Sequence, residues 1–175
     1  MVVFSWLFFG FLIIGAVLAS LGLGELFFWP LSEPSSLEIG NAFVMFLWIF
    51  MFNLALSGFL LLTASGAAFF GLPIFFLLLR AFLWGVFLTG LPMPLFLFVF
   101  PTVILEGLGY VLAGVAGFGL GLSWFKPRWM FKEESLSRLE AFKKAVRECV
   151  YIYVLVVMFL LVAAIVETAT LVFVA

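Results

Sequence analysis

Long apolar runs dominate this chain of 175 residues. A helix needs about 20 apolar residues to cross a bilayer, and the chain offers five such segments, at about 2–23, 41–63, 73–89, 95–122 and 149–173. Hydrophobic residues make up 67% of the chain and charged residues 10%, whereas soluble domains carry about 45–50% and about 25%. We therefore predict an all-α integral membrane protein, a single transmembrane domain over residues 1–175 whose main partner is the lipid bilayer.

The first span is expected to be retained and not cleaved as a signal peptide. No Lys or Arg precedes its apolar run, and the run is longer than the 7–15 residues of a signal-peptide core. In the fourth span, Pro101 removes a backbone donor and clashes with the preceding turn. We predict either a kinked helix there or a short re-entrant piece over residues 95–100. Such a break is tolerated in lipid only where protein or a water-filled cavity covers it.

The distribution of basic residues predicts the orientation. Seven of the eight Lys and Arg residues lie in the loop 123–148, whereas residues 24–40 carry three glutamates and no base. By the positive-inside rule, the basic loop is cytoplasmic. Counting five spans, we predict a multi-pass protein of the cell membrane with a cytoplasmic N-terminus and an outer C-terminus.

The basic loop also contains a predicted amphipathic helix, over residues 133–148. Apolar residues recur there at helical spacing, and Ser137 and Glu140 have the spacing of a capping box. One interpretation is an interfacial helix that leads into the fifth span. The alternative is a docking surface for a partner protein.

Two glutamates stand within apolar spans, Glu106 in the fourth and Glu167 in the fifth. A carboxylate there is costly to bury, so it is usually paired, turned toward protein, and functional. Counted along each helix, both lie about 24–27 Å from the cytoplasmic end, so they share a depth. Such a pair could share a proton or hold a cation. The alternative is a protonated glutamate that donates to a backbone carbonyl across a helix interface.

Small residues near the glutamates predict close helix packing. Gly109, Ala113, Gly117 and Gly121 form a stripe at intervals of four residues, which lets transmembrane helices approach backbone to backbone. Glu106 lies at the edge of this stripe. We therefore expect the fourth and fifth spans to pack closely, with the two glutamates facing protein.

Four further polar residues in or beside the spans are candidate supporting groups: Asn53, Arg80, Thr102 and Thr168. Arg80 is the one base inside a predicted span. It could extend its side chain to the interface, or it could neutralise a glutamate. By helix rise, about 14–16 Å would separate it from the glutamates if the helices are straight, which argues against a direct pair.

The composition excludes several kinds of chemistry. The chain has no His or Asp and one cysteine, Cys149, which removes the usual metal-ligand sets, the Ser-His-Asp triad and an intrachain disulfide. We expect no metal, no cofactor and no enzymatic activity. The net charge of −1 gives no attraction for nucleic acid.

The chain resembles the stage II sporulation protein M family of polytopic membrane proteins over residues 46–170. The most specific elements are Pro101-Thr-Val-Ile-Leu-Glu106, in place of a Pro-His-Gly-x-x-Glu motif, and Ala163-Ala-Ile-Val-Glu167, in place of a final Ala-Ala-x-x-Glu. Weaker counterparts are Phe52-Asn53, the Gly-rich turn 66–73, Arg80 in place of the Asn of the family's Asn-Gly segment, and the Ala-Gly-rich run 113–117. Thr102 and Val103 replace the family's His and Gly.

The resemblance implies an all-helical membrane fold whose shared elements include both glutamates. Family members in spore formers act in an envelope-remodelling complex, and relatives also occur in organisms that form no spores. Two functions follow. The first is a small permease or channel with Glu106 and Glu167 handling a proton or cation. The alternative is a non-catalytic scaffold with a membrane or envelope partner. Five spans are few for a conduction pathway, so we expect a homodimer in either case.

Overall fold

The computed structural model describes residues 1–23, 41–125, 127–131 and 136–174. These residues contain no strand. The helices are α1 (Val2–Ser20), α2 (Ala42–Met51), a π-helix (Phe52–Ala64), α3 (Ser65–Ala68), α4 (Leu72–Thr89), α5 (Met93–Phe125), α6 (Pro127–Met130) and α7 (Arg138–Val174). Five helical stretches in this part of the chain are long and apolar enough to cross a membrane. The predicted all-α polytopic membrane fold is confirmed. The acidic loop 24–40 lies outside the described residues.

The second span is one long helix that changes type. The Asn41 side chain starts α2 by accepting a hydrogen bond from the Phe43 N–H at 2.9 Å. From Phe52 the chain continues as a π-helix of 13 residues and then as α3 to Ala68. The span is therefore longer than the predicted 41–63, because helix continues through the glycine-containing segment after Ala64. A π-helix bonds i to i+5, is rare, and occurs mostly as single turns at functional sites.

The central element is α5, whose buried residues run from Thr102 to Ser123. It packs most extensively on α7 and also contacts α1, the π-helix and α4. The predicted re-entrant break does not form, because α5 continues as helix through Pro101. Proline costs the helix one hydrogen bond, to the Leu97 carbonyl, and neighbouring turns of an apolar helix tolerate that loss.

The last helix combines two predicted elements. The amphipathic helix and the fifth span form one continuous helix, which begins at Arg138. Positions 133–135 of the predicted amphipathic helix lie outside the described residues. Its start is a capping box. The Ser137 N–H and hydroxyl both donate to Glu140 Oε2, at 3.0 and 2.7 Å, and the Glu140 N–H donates back to the Ser137 hydroxyl at 3.4 Å. The helix of 37 residues is about 55 Å long, against about 30 Å of hydrocarbon. Its first turns therefore extend beyond the bilayer.

Three close backbone contacts hold the helices together. Gly15 of α1 faces the backbone of Phe82, and Gly85 of α4 faces the backbone of Leu12, so α1 and α4 cross with no side chain between them. At a second crossing, Gly66 lies against the backbone of Gly117 of α5. A Cβ at any of these glycines would overlap main-chain atoms, which cannot move aside as a side-chain end can.

We predict that Gly117→Ala destabilises the protein by about 1–3 kcal/mol, because the new methyl group overlaps the Leu62 carbonyl. Gly10→Ala is the matched control, since a Cβ at Gly10 meets no atom within 4 Å. Thermal unfolding in detergent measures both. Equal melting temperatures for the two variants would contradict the close crossing.

We further predict that acid weakens the start of α7. The two hydrogen bonds from Ser137, its hydroxyl first, hold the pKa of the Glu140 carboxyl below its usual value of 4.5. A lowered pKa means that the capping contribution is present above pH 4.5 and is lost as the pH falls below it. Amide exchange of the first turn of α7, corrected for the intrinsic rate, should show less protection at pH 3 than at pH 6. Ser137→Ala should reduce this difference, because it removes the hydroxyl bond and keeps the backbone N–H bond.

Candidate functional site

A cluster of polar side chains lies within the apolar helix bundle. It joins Asn53 of the π-helix, Arg80 of α4, and Glu106 and Tyr110 of α5. Glu106 is 2% exposed and Tyr110 is fully buried, whereas the Arg80 side chain is 26% exposed. The helices bring together residues that are 53 and 27 positions apart in the sequence, so the cluster exists only in the folded protein.

Both carboxyl oxygens of Glu106 have partners. The Asn53 amide donates to Oε1. The Tyr110 hydroxyl donates to Oε2 at 3.3 Å, and Arg80 Nη2 lies 3.9 Å from the same oxygen. A buried carboxylate is tolerated when a counter-charge and hydrogen bonds compensate its lost hydration. Glu106 has one cation and two donors, which is the kind of environment that can hold a negative charge in an apolar setting.

Arg80 is fixed by the same residues. Its Nη2 donates to the Tyr110 hydroxyl at 2.7 Å and to Asn53 Oδ1 at 3.4 Å. Its guanidinium carbon lies 4.3 Å from the centre of the Tyr110 ring, in cation–π geometry. Tyr110 therefore accepts a hydrogen bond from Arg80 while it donates one to Glu106. Arg80 Nε is buried without a hydrogen-bond partner among the described residues.

The expectation that depth argues against a direct Arg80–Glu106 pair is wrong. It assumed that Pro73, near the start of α4, and Leu122 lie at one depth. However, Leu77, four residues after Pro73, packs against Gly114 of α5. Because the two helices run in opposite directions, Pro73 lies at the depth of a point about four residues before Leu122. That register removes about 6 Å of the expected gap. The remaining 7–10 Å or so is crossed by the long side chain of Arg80 and by that of Glu106.

The second glutamate, Glu167 of α7, lies beside the first. Its carboxyl is close enough to the Glu106 carboxyl and to Arg80 to interact electrostatically with both. Glu167 Oε2 is buried, with no hydrogen-bond partner in the described part of the chain. Two carboxyl groups and one guanidinium therefore lie in one region of the bundle. Like charges this close oppose each other's ionisation. With one proton bound to the two carboxyls, their single negative charge balances the charge of Arg80.

The two predicted threonines are buried but do not join the cluster. The hydroxyls of Thr102 and Thr168 have no hydrogen-bond partner within the described residues. Thr102 lies one turn before Glu106 on α5, and Thr168 follows Glu167 on α7. Thr168 also lines an apolar groove between α2 and α7.

The stripe of small residues on α5 packs against two neighbouring helices and not against one. Gly109 packs against Leu160 of α7, as expected. Gly117 and Gly121 instead face the second span, at the backbone of Leu62 and Gly66. Ala113 is fully buried between these regions. The prediction assigned the whole stripe to the fourth and fifth spans, because sequence spacing shows which residues share a helix face but not which helix covers it.

A second polar link joins three helices one to two turns from the cluster. The Tyr153 hydroxyl of α7 donates to Thr63 Oγ1 at 2.7 Å, and the Thr63 hydroxyl donates to the Ala113 carbonyl at 3.0 Å. A hydrogen bond between helices replaces water that the bilayer cannot supply. This link fixes the π-helix between α5 and α7.

Sequence reasoning missed the role of Tyr110 and the π-helix. Tyr110 follows Glu106 by four residues, which is the spacing of neighbours on one helix face. That spacing indicates that the Tyr110 hydroxyl can reach the Glu106 carboxyl. The buried residues of the π-helix recur every four to five positions: Asn53, Ser57, Gly58, Leu62 and Thr63. Such spacing departs from the α-helical period. As a sequence signal it is weak, because the segment is apolar on all sides and the buried positions do not stand out.

We predict that Arg80→Met destabilises the protein by about 2–3 kcal/mol, because it leaves Glu106 without its cation. Adding Glu106→Gln to Arg80→Met should restore part of that loss, since a neutral amide needs no counter-charge. The coupling energy from the double-mutant cycle should be about 1–3 kcal/mol. Lys143→Met, beyond the bilayer, is the control and should show no coupling to Glu106→Gln. Additive effects of Arg80→Met and Glu106→Gln would rule out the pair.

Comparison with known proteins gives one match. The sequence model described as stage II sporulation protein M matches residues 2–170, which include every residue of the polar cluster. No curated protein and no solved structure matches the chain. The suspected resemblance is therefore confirmed at the level of the family.

Proposed function

Because the chain belongs to the stage II sporulation protein M family, a family of polytopic membrane proteins, we propose that it is a small permease or channel that handles a proton at the Glu106–Glu167 pair. The observation that carries this proposal is the second carboxyl group beside a glutamate that already has its counter-charge. One guanidinium balances one carboxylate, so the other glutamate is free to bind and release a proton.

The geometry favours a proton over a metal cation. Glu106 Oε1 is taken by Asn53, and Oε2 by Tyr110 and Arg80. A cation such as Na⁺ would need several oxygens at once and would have to displace the guanidinium, which repels it. A proton needs only one free carboxyl oxygen, and Glu167 Oε2 supplies one. Intramembrane carboxyl groups of this kind are typical of proton relays.

A scaffold remains the second candidate, and one observation favours it. The cluster bridges the π-helix, α4, α5 and α7, with Glu106 almost fully buried. The same contacts would fix the relative positions of the helices without moving any ion. In that case the glutamates act in packing, and the protein assembles a membrane or envelope complex through a partner that docks on the basic region 123–148.

We also propose a location and an assembly. The location is the cell membrane, and the positive charge at residues 126–147 supports an orientation with this region and the N-terminus on the cytoplasmic side. Five spans give a narrow bundle, which supports a homodimer as the working unit. Cysteine-accessibility labelling at positions near Arg138 tests the orientation, and native mass spectrometry tests the dimer.

We predict that the double variant Glu106→Gln/Glu167→Gln lowers proton flux in proteoliposomes by about tenfold or more, because amides cannot bind and release the proton. Flux is measured with a pH-sensitive dye trapped in the vesicles, after a pH jump. Glu140→Gln is the matched control, since it removes a carboxyl group outside the bilayer. Both variants are first checked for folding by thermal melt.

Two results would count against the permease. Equal flux in the wild type and in a folded double variant would show that the pair carries no proton. The absence of flux from the wild type, together with a lower melting temperature for the double variant, would support the scaffold.

A further inference from the structure

A cavity of about 150 Å³ lies between the π-helix and α4. Its wall is apolar except for Ser57 and Arg80, and the remaining lining residues are Leu61, Leu62, Phe76, Leu79 and Leu83. The side chains of Leu61, Leu79 and Leu83 are exposed, so they face the bilayer. The cavity is therefore reached from the lipid and not from either end of the bundle.

Two polar atoms beside this cavity lack partners. Ser57 is 1% exposed, and its Oγ forms no hydrogen bond within the described residues. It is close enough to the Tyr110 side chain to interact with it but forms no hydrogen bond to it. Arg80 Nε is buried and also unpartnered in this part of the chain. An unsatisfied buried donor costs about 1–3 kcal/mol, so both atoms favour a ligand that accepts hydrogen bonds.

The polar cluster uses only part of the Arg80 guanidinium. The contacts with Tyr110, Asn53 and Glu106 all come from Nη2. A guanidinium carries five N–H donors in a planar fork, and none of these contacts uses the Nε–H. Arg80 can therefore hold Glu106 and bind a second acceptor group at the same time.

We propose that this cavity binds the carboxyl head of a single-chain membrane amphiphile, such as a fatty acid. Arg80 Nε–H and the Ser57 hydroxyl donate to its oxygens, and its hydrocarbon chain lies along the exposed leucines. A polar contact at the end of a mostly apolar cavity is the usual form of a site for an apolar ligand. A fatty acid can enter as the neutral acid, which costs far less to bury than the carboxylate.

The polar lining sets the class of headgroup. Arg80 and Ser57 are the polar residues of the cavity wall, so the wall supplies one cation and one hydroxyl. This pair suits a small head with two acceptor oxygens, such as a carboxyl group.

This site shares Arg80 with the proposed proton pair, but it does not require that the protein moves protons. Binding and flux are measured on the same preparations in separate assays. A protein that binds the amphiphile without proton flux would refute the proposed function alone, and flux without binding would refute this inference alone.

The test uses full-length protein in phosphatidylcholine nanodiscs, titrated with tritium-labelled oleate. We expect saturable binding and a rise in melting temperature with oleate concentration. Leu83→Trp fills the mouth of the cavity and should weaken binding about tenfold or more. Ser57→Ala removes one donor and should weaken it by up to about tenfold. Leu155→Trp is the matched control, because Leu155 is lipid-exposed on α7 and does not line the cavity.

Competition with unlabelled lipids identifies the headgroup. Displacement by oleate and not by oleyl alcohol is expected, because the alcohol cannot accept hydrogen bonds on two oxygens from Arg80 and Ser57. Equal displacement by oleyl alcohol would overturn the carboxyl assignment, and stronger displacement by phosphatidic acid would assign the site to a phospholipid headgroup. Unsaturable binding, or equal binding by the Leu83→Trp and Leu155→Trp variants, would overturn the site itself.

Discussion

The pairing of Glu106 with Arg80 is the constraint on which the rest of the bundle depends. A charge in the bilayer must be compensated inside the protein, because lipid supplies neither counter-charge nor hydrogen bonds. Here the compensation comes from Arg80 of α4, Asn53 of the π-helix and Tyr110 of α5. These helices must therefore meet at one depth, and their register follows from that requirement.

Composition and run length were enough to predict the all-α membrane fold and its five spanning stretches. Lipid makes each span apolar nearly all round, so periodicity carries little information about which face is buried. For that reason the sequence could not show that Gly117 faces Gly66 while Gly109 faces Leu160. The capping box at Ser137 was readable because its signal is local, and it marks the start of α7 at Arg138.

The candidate site was predictable in its members more than in its geometry. Glu106, Glu167, Asn53 and Arg80 are conspicuous because polar residues are rare in apolar spans. Their contacts depend on the relative shift of α4 and α5, which is set by Leu77 against Gly114 and by the turn between the helices. Counting residues from assumed membrane edges cannot detect that shift. A shift of about four residues was enough to hide the Arg80–Glu106 pair.

The backbone crossings determine which parts of the bundle can move relative to one another. Gly15 and Gly85 hold α1 and α4 together at two points, and Gly66 with Gly117 holds the end of the second span against α5. Sliding at either crossing would force main-chain atoms into each other. Arg80 lies on α4, in the first pair of helices, and Glu106 lies on α5, which is paired with the second span. A helix movement that keeps both crossings intact therefore separates α1 and α4 from the second span and α5, with the guanidinium on one side and the Glu106 carboxyl on the other.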